Sequence, residues 1–271
     1  MTGKVLQGRT AIVFGAGGSV GAAVAGEFAA EGAEVFLAGR NPASIDSVLR
    51  QIAASGGKAH AATLNTLDEA SVSSYVNEVV SRSGKIDIVL DVVGPRAREY
   101  GNGKNAVELP IEEFMVPLTT MVRSRFITAC AAARHMVTQQ SGVIIFVTGS
   151  PARAHGAGAT AIGAAFGAME NIAEHLAFEV SPLGVRVVCL RTLANIDSRS
   201  IEDTREIVAG RLNITKDQAI AQWRARIAES NFLRTTATVR DTANAAVLIA
   251  SDRARMLTGT VMNATAGAAP D

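Results

Sequence analysis

Cysteine is scarce in this chain. Cys130 and Cys189 are the two present among 271 residues, and each sits in an apolar segment. That excludes a disulfide framework and a cysteine-rich zinc module, and leaves two small buried hydrophobes. Aromatic residues are also few, at 4%, which argues against the stacking platforms used to bind nucleic-acid bases. Neither sign of charge dominates: 26 basic residues stand against 25 acidic ones, for a net charge of +1. No basic field favours nucleic acid and no lysine-rich run favours a membrane surface. No apolar run reaches bilayer-spanning length, and the first eight residues lack the apolar core of a secretory signal. A soluble cytoplasmic protein with a small-molecule partner is the expectation. A hydrophobic content of 48% suits one α/β domain, or at most two.

What the chain does have is a glycine-rich turn near its start. Ala11, Ile12, Val13 and Phe14 form a continuous apolar run, as a parallel strand covered on both faces requires. Gly15, Gly17, Gly18 and Gly21 follow at once, with Ser19 and Val20 among them, and Ala22 to Ala30 has helix-forming character. Glycines remove the Cβ atoms that would block close approach, and a helix start offers unpaired N–H groups with a partial positive charge. A dinucleotide pyrophosphate fits such a turn, although a tight strand-to-helix connection would explain the glycines alone. The next strand, Glu34 to Ala38, ends in Gly39-Arg40-Asn41. An acidic residue here would bind the ribose 2′-hydroxyl of NAD. Arg40 instead offers a guanidinium fork suited to a 2′-phosphate, so NADP is expected ahead of NAD.

Further along, strands and helices alternate. Pro42 opens a helix that closes at Ser55-Gly56-Gly57, Lys58 to Leu64 reads as a strand, and Asp68 starts another helix. Ile86 to Val93 reads as a fourth strand. A polar loop from Gly94 to Pro110 is long for its place and lies at the carboxyl edge of the sheet, where ligands bind in such folds. Ile111 to Gln140 reads as one long helix, Val143 to Val147 as a fifth strand, and Val185 to Leu190 as a sixth. Arg191 to Leu233 reads as a polar excursion with two short helices, followed by a helix over 238–251 and a seventh strand near 259–263. The last five residues are expected to fray. The pattern implies an α/β fold: a Rossmann-type doubly wound parallel sheet of about seven strands flanked by helices, in a single domain over 1–271.

With these segments in order, the chain resembles the short-chain dehydrogenase/reductase family along nearly its whole length. The family's Gly-x-x-x-Gly-x-Gly falls on Gly15, Ser19 and Gly21, with serine at the middle glycine. Its adenine-contacting aspartate falls on Asn65, and its Asn-Asn-Ala-Gly on Asp91-Val92-Val93-Gly94. The resemblance therefore implies cofactor contacts at Gly15, Gly17, Gly18, Ser19, Val20, Gly21, Arg40, Asn65, Val93 and Gly94. The family's catalytic serine falls on Ser150, but its helix asparagine falls on Met121 and its Tyr-x-x-x-Lys pair on Ile162 and Phe166.

Carbonyl reduction needs a hydride and a proton, and the family's tyrosine and lysine deliver the proton. Ile162 has no transferable proton and Phe166 no charge. Ser150 is left to hydrogen-bond a substrate oxygen. His155 and Tyr100, on loops at the same sheet edge, are the candidate proton donors, and either would serve equally as a surface loop residue. Arg96, Arg98, Arg153 and Arg191 together suggest an anionic or polar ligand. Three functions stay open: an NADP-dependent oxidoreductase with a non-standard proton donor, a non-catalytic NADP- or ligand-binding subunit, and a non-redox enzyme on the same fold. Small residues over 163–168 favour close helix pairing, and the resemblance implies a homodimer or homotetramer. No metal site is expected.

Overall fold

A computed structural model describes residues 3–270. Seven parallel strands form one sheet in the order β3-β2-β1-β4-β5-β6-β7. β1 (Thr10–Phe14) lies at the centre between β2 (Glu34–Gly39) and β4 (Ile88–Asp91), and β3 (Lys58–Thr63) forms one edge. On the other side run β5 (Gly142–Gly149), β6 (Val185–Thr192) and β7 (Thr260–Ala264). The chain winds outward in one direction through β2 and β3 and then in the other from β4. The switch lies between β1 and β4, and in open sheets of this kind the carboxyl ends of the strands at such a switch are where ligands bind.

Alternating side chains feed two cores. Ala11 and Val13 of β1, with Val143, Ile145 and Val147 of β5, face α1 (Ser19–Ala30), α2 (Pro42–Ala54) and α9 (Val239–Ala250). Ile12 and Phe14, with Ile144 and Phe146, face α3 (Glu69–Ser83), α5 (Arg123–Gln139) and α6 (Thr160–Val180). Burying each such side chain contributes about 1.5–3 kcal/mol, which explains why the strands read as unbroken apolar runs. Tyr75 of α3 is buried against Phe14 in an edge-to-face pair with ring centroids 6.2 Å apart. Cys189 is buried and Cys130 is half-buried, and both are free thiols.

Three expectations change. The long helix over 111–140 is α4 (Ile111–Pro117), a π turn at Leu118–Val122, and then α5. Pro117 cannot donate to the helix ladder, and a π turn accommodates the break while shifting the side chains that follow. The polar excursion begins after Thr192, because Arg191 and Thr192 are the last residues of β6; it carries α7 (Arg199–Leu212) and α8 (Lys216–Glu229). The tail up to residue 270 is docked: Asn263 Nδ2 donates to the Ala269 carbonyl at 2.8 Å, and the Ala269 N–H donates to Thr265 Oγ1 at 3.2 Å. Asp271 lies outside the described residues. Among the described residues no helix is long and apolar enough to cross a membrane, and no group of His, Cys, Asp and Glu is arranged for a metal ion.

Candidate functional site

The glycine turn sits at the switch point. Gly15 adopts φ +82°, and a Cβ there would lie 2.9 Å from the Val93 nitrogen. Only glycine lets the turn after β1 lie flat against the loop after β4. A Cβ on Gly21 would collide with the Gly15 carbonyl, so this glycine lets α1 start hard against the turn. Gly18 is the helix N-cap and carries no side-chain cap, so the first N–H groups of Ser19, Val20 and Gly21 lack the usual hydroxyl or carboxylate partner. Bare glycine backbone and an uncapped helix start together make a cradle of the kind that suits a pyrophosphate. In folds of this kind a dinucleotide lies across the switch point, with its adenosine half on the β2 side and its other half on the β4 side.

On the β2 side, Arg40 is exposed and makes no ion pair with any described residue. Asn41 caps α2 by accepting from the Ser44 N–H at 3.2 Å. Asn65 is exposed in the turn after β3, with its Oδ1 accepting from the Leu67 N–H. These residues lie at the carboxyl ends of β2 and β3.

On the β4 side the loop is fixed from below. Asp91 is fully buried; its Oδ1 accepts from the Val93 N–H at 2.8 Å, and its Oδ2 accepts from Ser124 Oγ at 2.7 Å and Thr128 Oγ1 at 3.0 Å. Arg125 is also buried. It donates through Nη1 to the Val93 carbonyl at 2.7 Å and to the Met121 carbonyl at 3.2 Å, and through Nη2 to the Val147 carbonyl at 3.5 Å. Its Nε has no partner among the described residues. Gly94 follows Val93 and packs on Met121. Sequence reasoning missed Arg125. The signal was a lone charge on the inward stripe of Met121, Ser124, Thr128, Ala129 and Ala132, positions that otherwise pack inward.

Beyond β5, Ser150 is half-buried in a short 3₁₀ turn, where its carbonyl accepts from the Arg153 and Ala154 N–H groups. Phe166 of α6 packs so closely beside Gly149 that a Cβ there would lie 2.8 Å from the ring. With Ile162 and Met121 it joins the apolar core. His155 is exposed on the loop leading to α6. Tyr100 ends a 3₁₀ turn at Ala97–Tyr100, and burial, helped by the Asp203 carboxylate, pushes its hydroxyl up to about 12. That direction makes it a weaker proton donor near neutral pH.

The arginines grouped as a ligand patch are spent within the protein. Arg191 is fully buried and donates through Nε and Nη2 to Glu170 at 2.8 and 2.9 Å, while Thr148 Oγ1 donates to the same carboxylate at 3.0 Å. Arg153 lies 3.8 Å from Glu170. Arg96 grips Asp203 of α7 through two donors, at 2.9 and 2.5 Å, and Arg98 adds a third. Burial pushes the Asp203 carboxyl up, but these guanidinium hydrogen bonds outweigh it and hold the group below the ordinary carboxylate range. Arg96, Arg98 and Arg153 do lie in the connections after β4 and β5, but Arg191 belongs to β6 rather than to a loop; the carboxylates that satisfy these cations come from α6 and α7, far away in sequence.

Arg199, the first residue of α7, reaches the glycine turn. Its N–H donates to Ser19 Oγ at 3.0 Å, and its Nη2 donates to the Gly17 carbonyl at 2.8 Å. Serine at the family's middle glycine thus ties the excursion to the cradle. Loops after β4 and β5 meet as well, through the Gly103 N–H and the Gly158 carbonyl at 3.0 Å.

Comparison with known proteins agrees with this arrangement. The chain is 25% identical over 263 residues to 7alpha-hydroxysteroid dehydrogenase of Escherichia coli K12, covering 97% of this chain and 94% of that protein. It is 29% identical over 187 residues to gluconate 5-dehydrogenase of Gluconobacter oxydans, covering 67% and 69%. Among solved structures, a 7 alpha-hydroxysteroid dehydrogenase complexed with NADH and 7-oxo glycochenodeoxycholic acid has a TM-score of 0.83 at 23% identity, covering 98% and 96%. A short chain dehydrogenase from Burkholderia cenocepacia in complex with NADP has a TM-score of 0.79 at 23% identity, covering 97% and 99%. These two structural likenesses show the fold. The family described as short chain dehydrogenase matches residues 9–206, from the first strand to α7. The seven-stranded sheet, the glycine cradle and this match together place the chain in the short-chain dehydrogenase/reductase family.

Proposed function

We propose that this protein is an NADP(H)-dependent oxidoreductase acting on a hydroxy or oxo compound through a site that lacks the family's usual proton relay. The observation that carries the reading is the uncapped glycine cradle at the switch point, with the unpaired Arg40 at the end of β2. Gly15, Gly17, Gly18, Ser19, Val20 and Gly21 would hold the pyrophosphate, Arg40 the 2′-phosphate, Asn65 the adenine edge, and Val93 and Gly94 the far ribose. When bound, the reduced cofactor supplies a hydride. Ser150 donates a hydrogen bond to the substrate oxygen and orients it. The exposed His155 imidazole, reached through water, supplies the proton in place of the absent tyrosine, and Tyr100 is the weaker candidate because its hydroxyl is pushed up. The half-buried Ile162 and Phe166, backed by the core, give the substrate an apolar wall, which suits a bulky apolar oxo compound. The substrates named for the hydroxysteroid dehydrogenase relatives are compatible with such a wall.

A second reading, a non-catalytic NADP-binding subunit, draws on Ile162 and Phe166, which offer neither proton nor charge. Exposed Phe126 on α5 and Phe178 on α6 support a homodimer or homotetramer in either case. The readings separate in one experiment: stopped-flow absorbance of NADPH against a panel of oxosteroids and smaller ketones. Oxidation at any substrate above the buffer rate supports the enzyme. Tight NADPH binding with no turnover across the panel supports the binding subunit.

A further inference from the structure

Resting on the dinucleotide reading, we propose that the buried guanidinium of Arg125 is the fixed cation of the nicotinamide end of the site and makes this site prefer the reduced cofactor over the oxidised one. The family resemblance puts a lysine at Phe166, on α6, and this chain has no cation there. The buried charge enters instead from α5, beneath Val93 and Gly94, on the side of the glycine turn opposite Arg40.

The surroundings make that charge effective. Arg125 is bound to carbonyl groups, and among the described residues no carboxylate lies within ion-pair distance of it. Its Nε has no acceptor among the described residues. Asp91 lies close enough to offset part of the charge, but no ion pair joins the two: its oxygens are taken by an N–H and two hydroxyls. Burial pulls the Arg125 guanidinium down, yet arginine stays protonated near neutrality. Burying a charge without a direct ion pair is costly. A desolvated cation here acts on whatever ring lies above Val93, through low-dielectric surroundings. The oxidised nicotinamide ring carries a positive charge and the reduced ring none. Repulsion therefore weakens binding of the oxidised form alone.

The test is titration of the intact protein with NADPH and with NADP⁺ by calorimetry. The expected result is NADPH bound roughly tenfold or more tightly than NADP⁺, a ratio that falls to near parity in Arg125→Met and is kept in Arg125→Lys. Asp91→Asn, which removes the nearby negative charge, should raise the ratio. Thermal melts of each variant establish that it is folded, and the ratio in the unmodified protein tests the idea even if Arg125→Met does not fold. Equal affinities in the unmodified protein, or equal losses for both forms in a folded Arg125→Met, would overturn the assignment and leave Arg125 a brace for the loop. Failure of both forms to bind the unmodified protein would overturn the dinucleotide reading together with it.

Discussion

Asp91 and Arg125 hold opposite ends of one residue. The carboxylate accepts the Val93 N–H at 2.8 Å, and the guanidinium donates to the Val93 carbonyl at 2.7 Å. Both are buried, one at the end of β4 and the other on α5 just past the π turn. The loop that follows β4 is therefore fixed at both of its peptide groups before any ligand arrives. Such preorganisation matters where a ligand must be held in one geometry.

Removing the carboxylate should be expensive. In Asp91→Ala the Val93 N–H and the Ser124 and Thr128 hydroxyls lose their acceptor, and Arg125 loses its compensating charge. A loss of about 3–5 kcal/mol in urea unfolding is expected. A loss under about 1 kcal/mol would mean that water or the neighbouring hydroxyls take over.

Gly21→Ala tests the cradle. Its Cβ would collide with the Gly15 carbonyl, so the turn must shift away from the loop after β4. Coenzyme affinity should fall by roughly a hundredfold or more while the far edge of the sheet keeps its hydrogen-exchange protection. Near-normal affinity would show that the turn does not form the binding surface.

Ser19→Gly restores the family's glycine and removes the hydroxyl that accepts the Arg199 N–H. The start of α7 should then open more often, with faster amide exchange over residues 195–205 and unchanged exchange in β1. No change there would mean that Arg199 is held by the Gly17 carbonyl alone.

The clamp between Asp203 and the arginines carries a pH signature. A carboxylate held below its ordinary value contributes stability above its unfolded pKa of about 3.9, and that contribution is lost as pH falls through the lower folded value. Protection of α7 should persist at pH 5 and disappear on acidification below about 3.9. Asp203→Asn should show weaker protection at neutral pH and lack this acid step. An acid step unchanged in Asp203→Asn would assign it to another carboxylate.

Much of this architecture was readable in the chain itself. The apolar runs of β1, β4, β5 and β6 announce buried parallel strands, because both faces of each are covered. The glycine turn was legible for the same reason: close backbone approach leaves a local mark in composition. The pairings were not. Glu170 with Arg191, and Asp203 with Arg96 and Arg98, join residues 21 and more than 100 positions apart, and nothing in a local pattern fixes such partners. Arg191 looked like a loop cation because its strand runs two residues longer than its apolar core suggests. The π turn escaped notice because Pro117 and the residues after it keep a helical appearance; the extra residue shows only in the hydrogen bonds.

Coenzyme binding by the glycine cradle and Arg40 underlies the proposed activity. Calorimetric titration of the unmodified protein and of Arg40→Asp with NADP(H) and NAD(H) tests it. The prediction is saturable binding with NADP(H) favoured, and a loss for Arg40→Asp of about 10–100-fold that falls on the phosphorylated coenzyme and spares the other, as expected for lost charged hydrogen bonds. Absence of heat with every coenzyme, or equal losses for both pairs, would contradict it.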